Sequence, residues 1–282
     1  MAGTRDRARE RPRLIINADD FAFTPGVTAG ILDAHAAGTV TSTSMMVGCP
    51  GWEDGVRRAR ATPRLDVGLH FNLLVGRPFT NAASLRGPAG EFLTLAALVR
   101  RALLGRVRAR EVEAECEAQL AALRDAGVAV SHIDSHRHVH ALPGIASAVA
   151  RVADAHALAL RHPLEWSPRR AALAPSRMRG ALVGAAWRVA SRAAPATRAP
   201  DHFVGPLLQG GRGFAARLLN LLDRLPPGVT ELMVHPGRVD RVLETVDSYT
   251  WQREREREAL TEGALVERLR RGDLALADFR DL

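Results

Sequence analysis

Residues 14–20 read LIINADD, and this stretch decides the fold and supplies the first candidate site residues. The apolar run Leu14–Ile16 is typical of a buried strand, and it leads directly into Asp19 and Asp20. Two adjacent carboxylates after a buried strand cost free energy unless a cation or hydrogen bonds compensate their charge. Taken alone, such a pair is more often an N-cap or an exposed turn. The alternative is a metal that binds one carboxylate and leaves the other to act as a base.

The same pattern recurs along the chain, where short apolar runs alternate with segments of helical period. This alternation favours a parallel sheet with crossover helices. In barrels of this class the C-terminal ends of the strands converge on one face, where the catalytic groups lie. We therefore predict an α/β fold, a distorted (β/α) TIM-like barrel with mostly parallel strands and its active site at the C-terminal strand ends. The apolar runs end at Asp19/Asp20, His70, Asp134/His136, Arg161 and His235.

Apolar periodicity and end signals also predict the helices and the domain limits. Residues 1–12 are predicted to be a flexible basic tail, and residues 13–282 a single domain. After His70 we expect a loop through the glycines at 76, 87 and 90. The predicted helices cover residues 27–37, 52–61, 111–126, 145–156 and 253–271.

The richest segment for chemistry is residues 131–140, SHIDSHRHVH, with four histidines and one aspartate. Imidazole is a common metal ligand at neutral pH, and its second nitrogen needs an acceptor such as Asp134. A histidine-rich surface loop is the alternative. His70 alone is more typical of a structural histidine. Pro236 restrains His235 to an extended backbone, which would project its ring at a strand end, as suits a general acid, although a histidine at the start of a helix is equally common.

Composition excludes several classes of protein. All 39 basic residues are arginine and the net charge is +8, which either attracts anionic partners or, more commonly, reflects a solvated arginine-rich surface. Aromatic residues make up only 5% of the chain, too few for the stacking platforms of single-strand binding, so we expect no nucleic-acid partner. Cys49 and Cys116 form no CxxC motif, which indicates a reducing compartment. With no apolar leader and no run long enough to span a bilayer, we expect a cytoplasmic protein without a transmembrane segment.

Several ordered motifs resemble the YdjC-like carbohydrate deacetylases, the family that includes the chitooligosaccharide deacetylases. The resemblance implies an incomplete α/β barrel that holds one divalent metal ion. By position, the metal ligands would be Asp20, His70 and His136, with Asp19 as general base and His235 as general acid. The matching motifs are IINADDF (15–21), TSTS (41–44), VGLHFNL (67–73), GRP (76–78), SHIDSHRHVH (131–140), DHF (201–203) and ELMVHPG (231–237).

The rest of the predicted site follows from the same resemblance. Arg161 lies where the family tends to place a charged residue near the base, and we expect Arg161, Asp134 and His138 to contact the substrate or support the ligands. Two positions depart from the family pattern: Arg137, where a further histidine is common, and Ala22, where glycine is common. Residues 161–200 match poorly, and we expect a helical insertion at about 163–200.

The expected function is that of a metal-dependent hydrolase that removes the acetyl group from an N-acetylated amino sugar, within an N-acetylglucosamine-containing oligosaccharide or glycolipid. The mixed nitrogen and oxygen ligands suit zinc, manganese or iron, whereas the resemblance points to Mg²⁺ and to a homodimer. Other open functions are a phosphoesterase on the same metal site and a non-catalytic sugar- or nucleic-acid-binding protein.

One further segment is unusually basic. Eight arginines and one acid, Glu165, lie between Arg161 and Arg198. Residues 176–194 could form a basic helix that makes peripheral contact with an anionic membrane. The alternative is a helical insertion packed on the barrel. The predicted apolar side of this helix comprises Leu182, Val183, Ala186, Trp187 and Val189.

Overall fold

The computed structural model describes residues 11–166 and 175–282. Within them a single parallel sheet curls into a half-barrel in the order β5-β4-β3-β2-β1-β7-β6, and β8 pairs with β1. This confirms the predicted distorted TIM-like α/β barrel. The strands are β1 (Arg13–Phe21), β2 (Ser42–Met45), β3 (Asp66–Phe71), β4 (His132–Ser135), β5 (Ala159–Leu160), β6 (His202–Val204), β7 (Val229–Val234) and β8 (Ala275–Ala277).

The two edges of the sheet meet just beyond Arg161. Glu165 forms a parallel bridge to Phe203 in β6, and the backbone N–H of Trp166 donates to the carbonyl of Phe203 at 2.7 Å. The segment after β5 therefore contacts the last strand of the sheet through one isolated bridge rather than through a regular strand pair.

Helices cover the outside of the sheet. They are α1 (Pro25–Ala36), α2 (Trp52–Ala61), α3 (Leu95–Leu103), α4 (Ala109–Asp125), α5 (Ala146–Ala155), α6 (Pro175–Ala190), α7 (Phe214–Leu222), α8 (Arg241–Val246), α9 (Trp251–Thr261) and α10 (Gly263–Arg270). In the described part of the chain, short 3-10 helices cover His136–Ala141, Ser191–Ala193 and Phe279–Asp281.

The helix predictions are largely confirmed, with one clear error. The helix predicted over residues 253–271 is two helices, because Glu262 has an extended backbone (φ −68°, ψ 142°) between α9 and α10. The sequence predictions also missed β6, α3, α7 and α8.

Strand alternation explains why the barrel interior becomes polar toward one end. Side chains two residues apart lie on the same face of a strand, so Ile15, Asn17 and Asp19 share the interior of β1. Ile15 belongs to a small apolar cluster with Ala159, Val229, Ala277 and Phe279 that fills one end of the barrel. The same alternation continues from Val229 to Glu231, and the other end therefore collects buried polar groups.

Two predicted features, the tail at 1–12 and the helical insertion at about 163–200, fall partly outside the described residues, because residues 1–10 and 167–174 are not described. The predicted tail consists mostly of residues 1–10, which lie outside the described residues, while Arg11 Nη2 donates to the carbonyl of Leu274 and Pro12 accepts from Ala275 N–H at the start of β8. Among the described residues, no helix combines the length and the apolar character needed to cross a bilayer.

Candidate metal centre and active site

Three of the predicted residues come together at the polar end of the barrel, from the ends of three different segments. The Oδ1 atom of Asp20 lies 3.2 Å from His70 Nε2 and 2.9 Å from His136 Nδ1. One ligand atom from each residue falls within 4.8 Å of the other two, and all three side chains are buried. The predicted metal ligands therefore converge on one small volume.

The backbone of Asp20 makes this convergence possible. Neighbouring side chains of a regular strand point to opposite faces, so Asp19 and Asp20 would be separated by the sheet. The φ of Asp20 is 73°, and the β1–β2 register shifts between Ala18 and Phe21. A non-glycine residue in the left-handed region is uncommon, and such strain is concentrated at functional sites. Ala22 is also left-handed (φ 65°), which gives a physical reason for glycine to suit that position.

Asp134 orients the ring of His70. The two residues are paired in register across β3 and β4, and His70 Nδ1 lies 2.7 Å from Asp134 Oδ1. This leaves Nε2 directed toward Asp20, the arrangement in which a carboxylate fixes a ligating histidine. Burial alone would lower the pKa of His70, but the nearby carboxylates of Asp134 and Asp19 outweigh it and raise the pKa to about 10.

Asp19 is held beside this trio by a different set of contacts. Arg161 donates to both of its carboxylate oxygens, at 2.8 and 2.7 Å, and Asn17 Nδ2 donates to Oδ1 at 2.9 Å. Burial would raise the pKa of Asp19, but the Arg161 guanidinium holds it well below its usual range. Asp19 is therefore an ionised, oriented carboxylate that is not itself among the three converging ligands.

Arg161 is a fully buried cation that is shared by three carboxylates. It also contacts Asp134 Oδ2 at 2.6 Å, and its Nε donates to Glu231 Oε1 at 2.6 Å. Burial raises the pKa of Glu231 to about 7, although the Arg161 charge opposes the shift. Glu231 was not predicted as a site residue, because it stands inside the ELMV strand rather than at its end.

His235 follows β7, as predicted, and faces Asp19. Its Nε2 lies 3.9 Å from Asp19 Oδ2, and its ring packs edge-on against Tyr249 with the centroids 5.5 Å apart. Its backbone N–H donates to Glu256 Oε2 at 2.5 Å, and Tyr249 donates its hydroxyl proton to the other oxygen of Glu256. Among the described residues, no group hydrogen-bonds to His235 Nδ1.

Arg253 is a site residue that the sequence did not reveal. Its Nη2 donates to Asp20 Oδ2 at 2.6 Å and to Asp247 Oδ2 at 2.9 Å, and the side chain is buried. Burial would raise the pKa of Asp20, but Arg253 and then His136 hold it well below its usual range. The sequence places Arg253 in a run of alternating Arg and Glu that is typical of a solvated helix, so only the fold reveals its role.

The remaining histidines of residues 131–140 lie apart from the three ligands. His138 contacts the rings of Phe203 and His140, and burial followed by the Arg161 charge lowers its pKa to about 3. His132 stacks on Phe279 at 3.7 Å. The left-handed backbone of Arg137 and His138, each with φ 55°, ends the strand alternation and directs the later histidines elsewhere.

The chemistry of Asp20, His70 and His136 fits a divalent cation. Two imidazole nitrogens and one carboxylate oxygen suit zinc, manganese or iron, and three protein ligands leave coordination positions for water and substrate. Two of these ligands also have a hydrogen-bond partner outside the cluster. Asp134 pairs with His70, and Arg253 donates to Oδ2 of Asp20, the oxygen that does not contact the histidines. Asp19, His70 and Asp134 form a second group within reach of one ion, but both of its carboxylates are already in contact with Arg161.

Comparisons with known proteins show what this chain is similar to. The model of the YdjC-like protein family matches residues 13–271. A carbohydrate deacetylase from Geobacillus stearothermophilus is 34% identical over 270 residues, which cover 95% of this chain and 96% of that protein. A carbohydrate deacetylase from Brevibacillus brevis is 32% identical over 274 residues, covering 96% and 99%. A crystal structure from Enterococcus faecalis, named for cellobiose-phosphate cleavage, has a TM-score of 0.76 at 27% identity and covers 96% of this chain and 99% of that one.

Proposed function

This chain belongs to the YdjC-like protein family, and we propose that it is a metal-dependent carbohydrate deacetylase that hydrolyses the acetamide of an N-acetylated amino sugar. Its carbohydrate deacetylase relatives are similar over nearly the full length of both chains, which supports carbohydrate deacetylation. N-acetylglucosamine-containing oligosaccharides or glycolipids are the substrates we favour. Mg²⁺ is the metal that family resemblance favours, with zinc or manganese as alternatives.

One observation carries the proposal: two buried carboxylates that are adjacent in sequence have separate partners. Asp20 faces His70 and His136, whereas Asp19 is held by Arg161 and faces His235. An amide hydrolase on a metal site needs this division, because one carboxylate must ligate the ion while another accepts a proton.

The roles of the residues follow from their positions. Water adds to the acetyl carbon, and Asp19 accepts the proton that the water loses. His235 gives a proton to the sugar nitrogen as the C–N bond breaks, so acetate and a free amino sugar leave. Arg161 keeps Asp19 ionised and oriented until Asp19 accepts this proton. A divalent ion held by Asp20, His70 and His136 supplies the positive charge that polarises the carbonyl and acidifies water.

Paired variants test the division of labour between Asp19 and His70. We expect Asp19→Asn to lower turnover by about 10²–10⁴-fold, because it removes the general base, while the bound metal is retained. We expect His70→Ala to lose both metal and activity. The measurements are acetate release from N-acetylglucosamine oligosaccharides and metal content by mass spectrometry. His156→Ala is the matched control, because His156 pairs with Glu117 on the surface and should change neither quantity.

Retention of metal by His70→Ala, or full activity of Asp19→Asn, would contradict these roles. A phosphoesterase is the second candidate function to be separated, and the Enterococcus faecalis protein is named for cellobiose-phosphate cleavage without the bond being specified. A phosphoesterase on the same metal site would release phosphate rather than acetate, so assaying both products from the same enzyme preparation separates the two functions.

A further inference from the structure

Helix α6 carries apolar side chains on two opposite faces. Its inner face packs on the barrel: Trp187 is buried, and its ring lies 5.6 Å from that of His140 and 5.0 Å from that of His162. Val183 also packs against the core. The apolar side predicted from the sequence is therefore divided, since Val183 and Trp187 face inward while Leu182 and Val189 face outward.

The outward side chains form a continuous apolar stripe. Met178, Leu182 and Val189 are 62%, 69% and 60% exposed, and Ala181 and Ala185 lie between them at helical spacing. A helix on the surface of a globular protein normally carries polar residues on this side. We call these five residues the outer face of α6. Among the other exposed hydrophobic side chains of the described residues, few follow one another along one side of a helix.

The charge around the outer face is strongly positive. Arg188 and Arg192 are exposed beside it, and Arg177 and Arg179 belong to the same basic segment of the sequence. The single acid between residues 162 and 198, Glu165, accepts hydrogen bonds from the backbone of Gly205 and Leu207 on the barrel side. Aliphatic side chains flanked by the exposed Arg188 and Arg192, on a helix with no acid in its sequence, match an anionic membrane surface, which has an apolar interior beneath anionic headgroups.

We propose that the outer face of α6 binds the surface of an anionic lipid bilayer. Interfacial helices bury an aliphatic face in the region between headgroups and acyl chains, while arginines contact anionic headgroups. A second copy of this chain is a poorer occupant, because a two-fold contact would place Arg188 and Arg192 of both copies in one interface, and α6 carries no acid to pair with them. Nucleic acid is also a poorer occupant, since the outer face offers no aromatic ring for stacking.

This surface lies one helix away from the candidate metal centre. Trp187 of the inner face contacts His140, and His140 belongs to the 3-10 helix that begins with His136. Membrane binding by α6 would therefore hold the mouth of the barrel near the bilayer. The inference does not depend on which reaction the site performs.

Vesicle co-sedimentation of the full chain tests the proposal. We expect the wild-type protein to bind vesicles of about 30% phosphatidylglycerol in phosphatidylcholine, and to bind pure phosphatidylcholine much more weakly. Leu182→Glu should lower the partition coefficient on the anionic vesicles about tenfold or more. The change removes a leucine that membrane binding would bury in the bilayer, and it adds a negative charge. The matched control is Leu104→Glu, which makes the same charge change at a leucine that is 57% exposed at the end of α3.

Several results would overturn the proposal. One is that the wild-type protein shows no preference for the anionic vesicles. Another is that Leu182→Glu and Leu104→Glu lower the partition coefficient equally. A third is a wild-type dimer that Leu182→Glu converts to a monomer, by light scattering, with lipid binding unchanged; this would assign the outer face to self-association. Thermal unfolding of both variants shows that each is folded before it is compared, and if Leu182→Glu does not fold, Val189→Glu replaces it.

Discussion

Arg161 shows how much of the site depends on one buried charge. It is the nearest cation to Asp19, Asp134 and Glu231, so three carboxylates share a single guanidinium. Two negative charges exceed what one cation can neutralise, and a third carboxylate in a buried place resists ionisation. The raised pKa of Glu231 is the expected consequence.

The stability of Glu231→Gln should differ from that of the wild type in a pH-dependent way. The folded-state pKa of Glu231 is about 7, above its ordinary value of 4.5, so its stabilising contribution is complete below about pH 4.5 and is lost as the pH rises through 7. Glutamine imitates the protonated acid and has no such loss. We expect the free energy of unfolding of the wild type, relative to Glu231→Gln, to fall by on the order of 3 kcal/mol between pH 5 and pH 8.

Urea unfolding of the metal-free proteins at several pH values measures this difference. Glu53→Gln, at an exposed glutamate of α2, is the control and should follow the wild type throughout. Parallel curves for the wild type and Glu231→Gln would mean that Glu231 ionises normally inside the barrel.

At the scale of elements, helix α1 positions the segment that carries His235. Gly30 lies in the middle of α1, where a Cβ atom would stand 2.5 Å from Gly237 Cα and 2.7 Å from Arg238 N. Because the backbone of α1 approaches the backbone at Gly237 so closely, it holds in place the segment that follows His235 and Pro236. Gly30 is therefore required by packing, against the usual preference of a helix for alanine.

Gly30→Ala should destabilise the protein and slow turnover. Helix propensity alone would favour alanine by about 1 kcal/mol. The clash with backbone atoms cannot be relieved by a side-chain rotation, so we expect a net loss of about 1–3 kcal/mol. Displacement of Gly237 should also move His235 and lower kcat. Chemical denaturation and acetate release measure the two effects.

Gly263→Ala is the control for this change, because a Cβ at Gly263 meets nothing within 4 Å. It should leave the free energy of unfolding and kcat nearly unchanged. If Gly30→Ala behaves in the same way, α1 does not position the His235 segment.

The elements also show where sequence reasoning succeeds and where it stops. The ends of β1, β3, β4 and β7 could be predicted, because each apolar run is followed at once by the polar residue that it delivers. The role of Arg253 could not be predicted, since its contact with Asp20 spans 233 positions of sequence. The break at Glu262 was missed because the apolar period of α9 continues into α10.

At the scale of the whole molecule, the barrel is apolar at one end and ionic at the other. The parallel register of β1 with β2 and β7 brings the interior positions of all strands to the same height. Strand alternation and the convergence of strand ends are general rules, so the sequence could predict which residues meet. The residues alone did not show which of the two carboxylates faces the histidines, because that depends on the left-handed backbone of Asp20, and only the family resemblance assigned Asp20 to the metal and Asp19 to the base. The single-domain limits, the insertion at 163–200 and the homodimer stay predictions.

The central claim is that Asp20, His70 and His136 share one divalent ion while Asp19 remains outside it. A crystal soaked in Mn²⁺, which accepts nitrogen and oxygen ligands, tests this most directly through its anomalous scattering. We predict a single strong peak about 2.0–2.3 Å from one atom of each of these three side chains. A peak among Asp19, His70 and Asp134 instead, or none within the barrel, would contradict the claim.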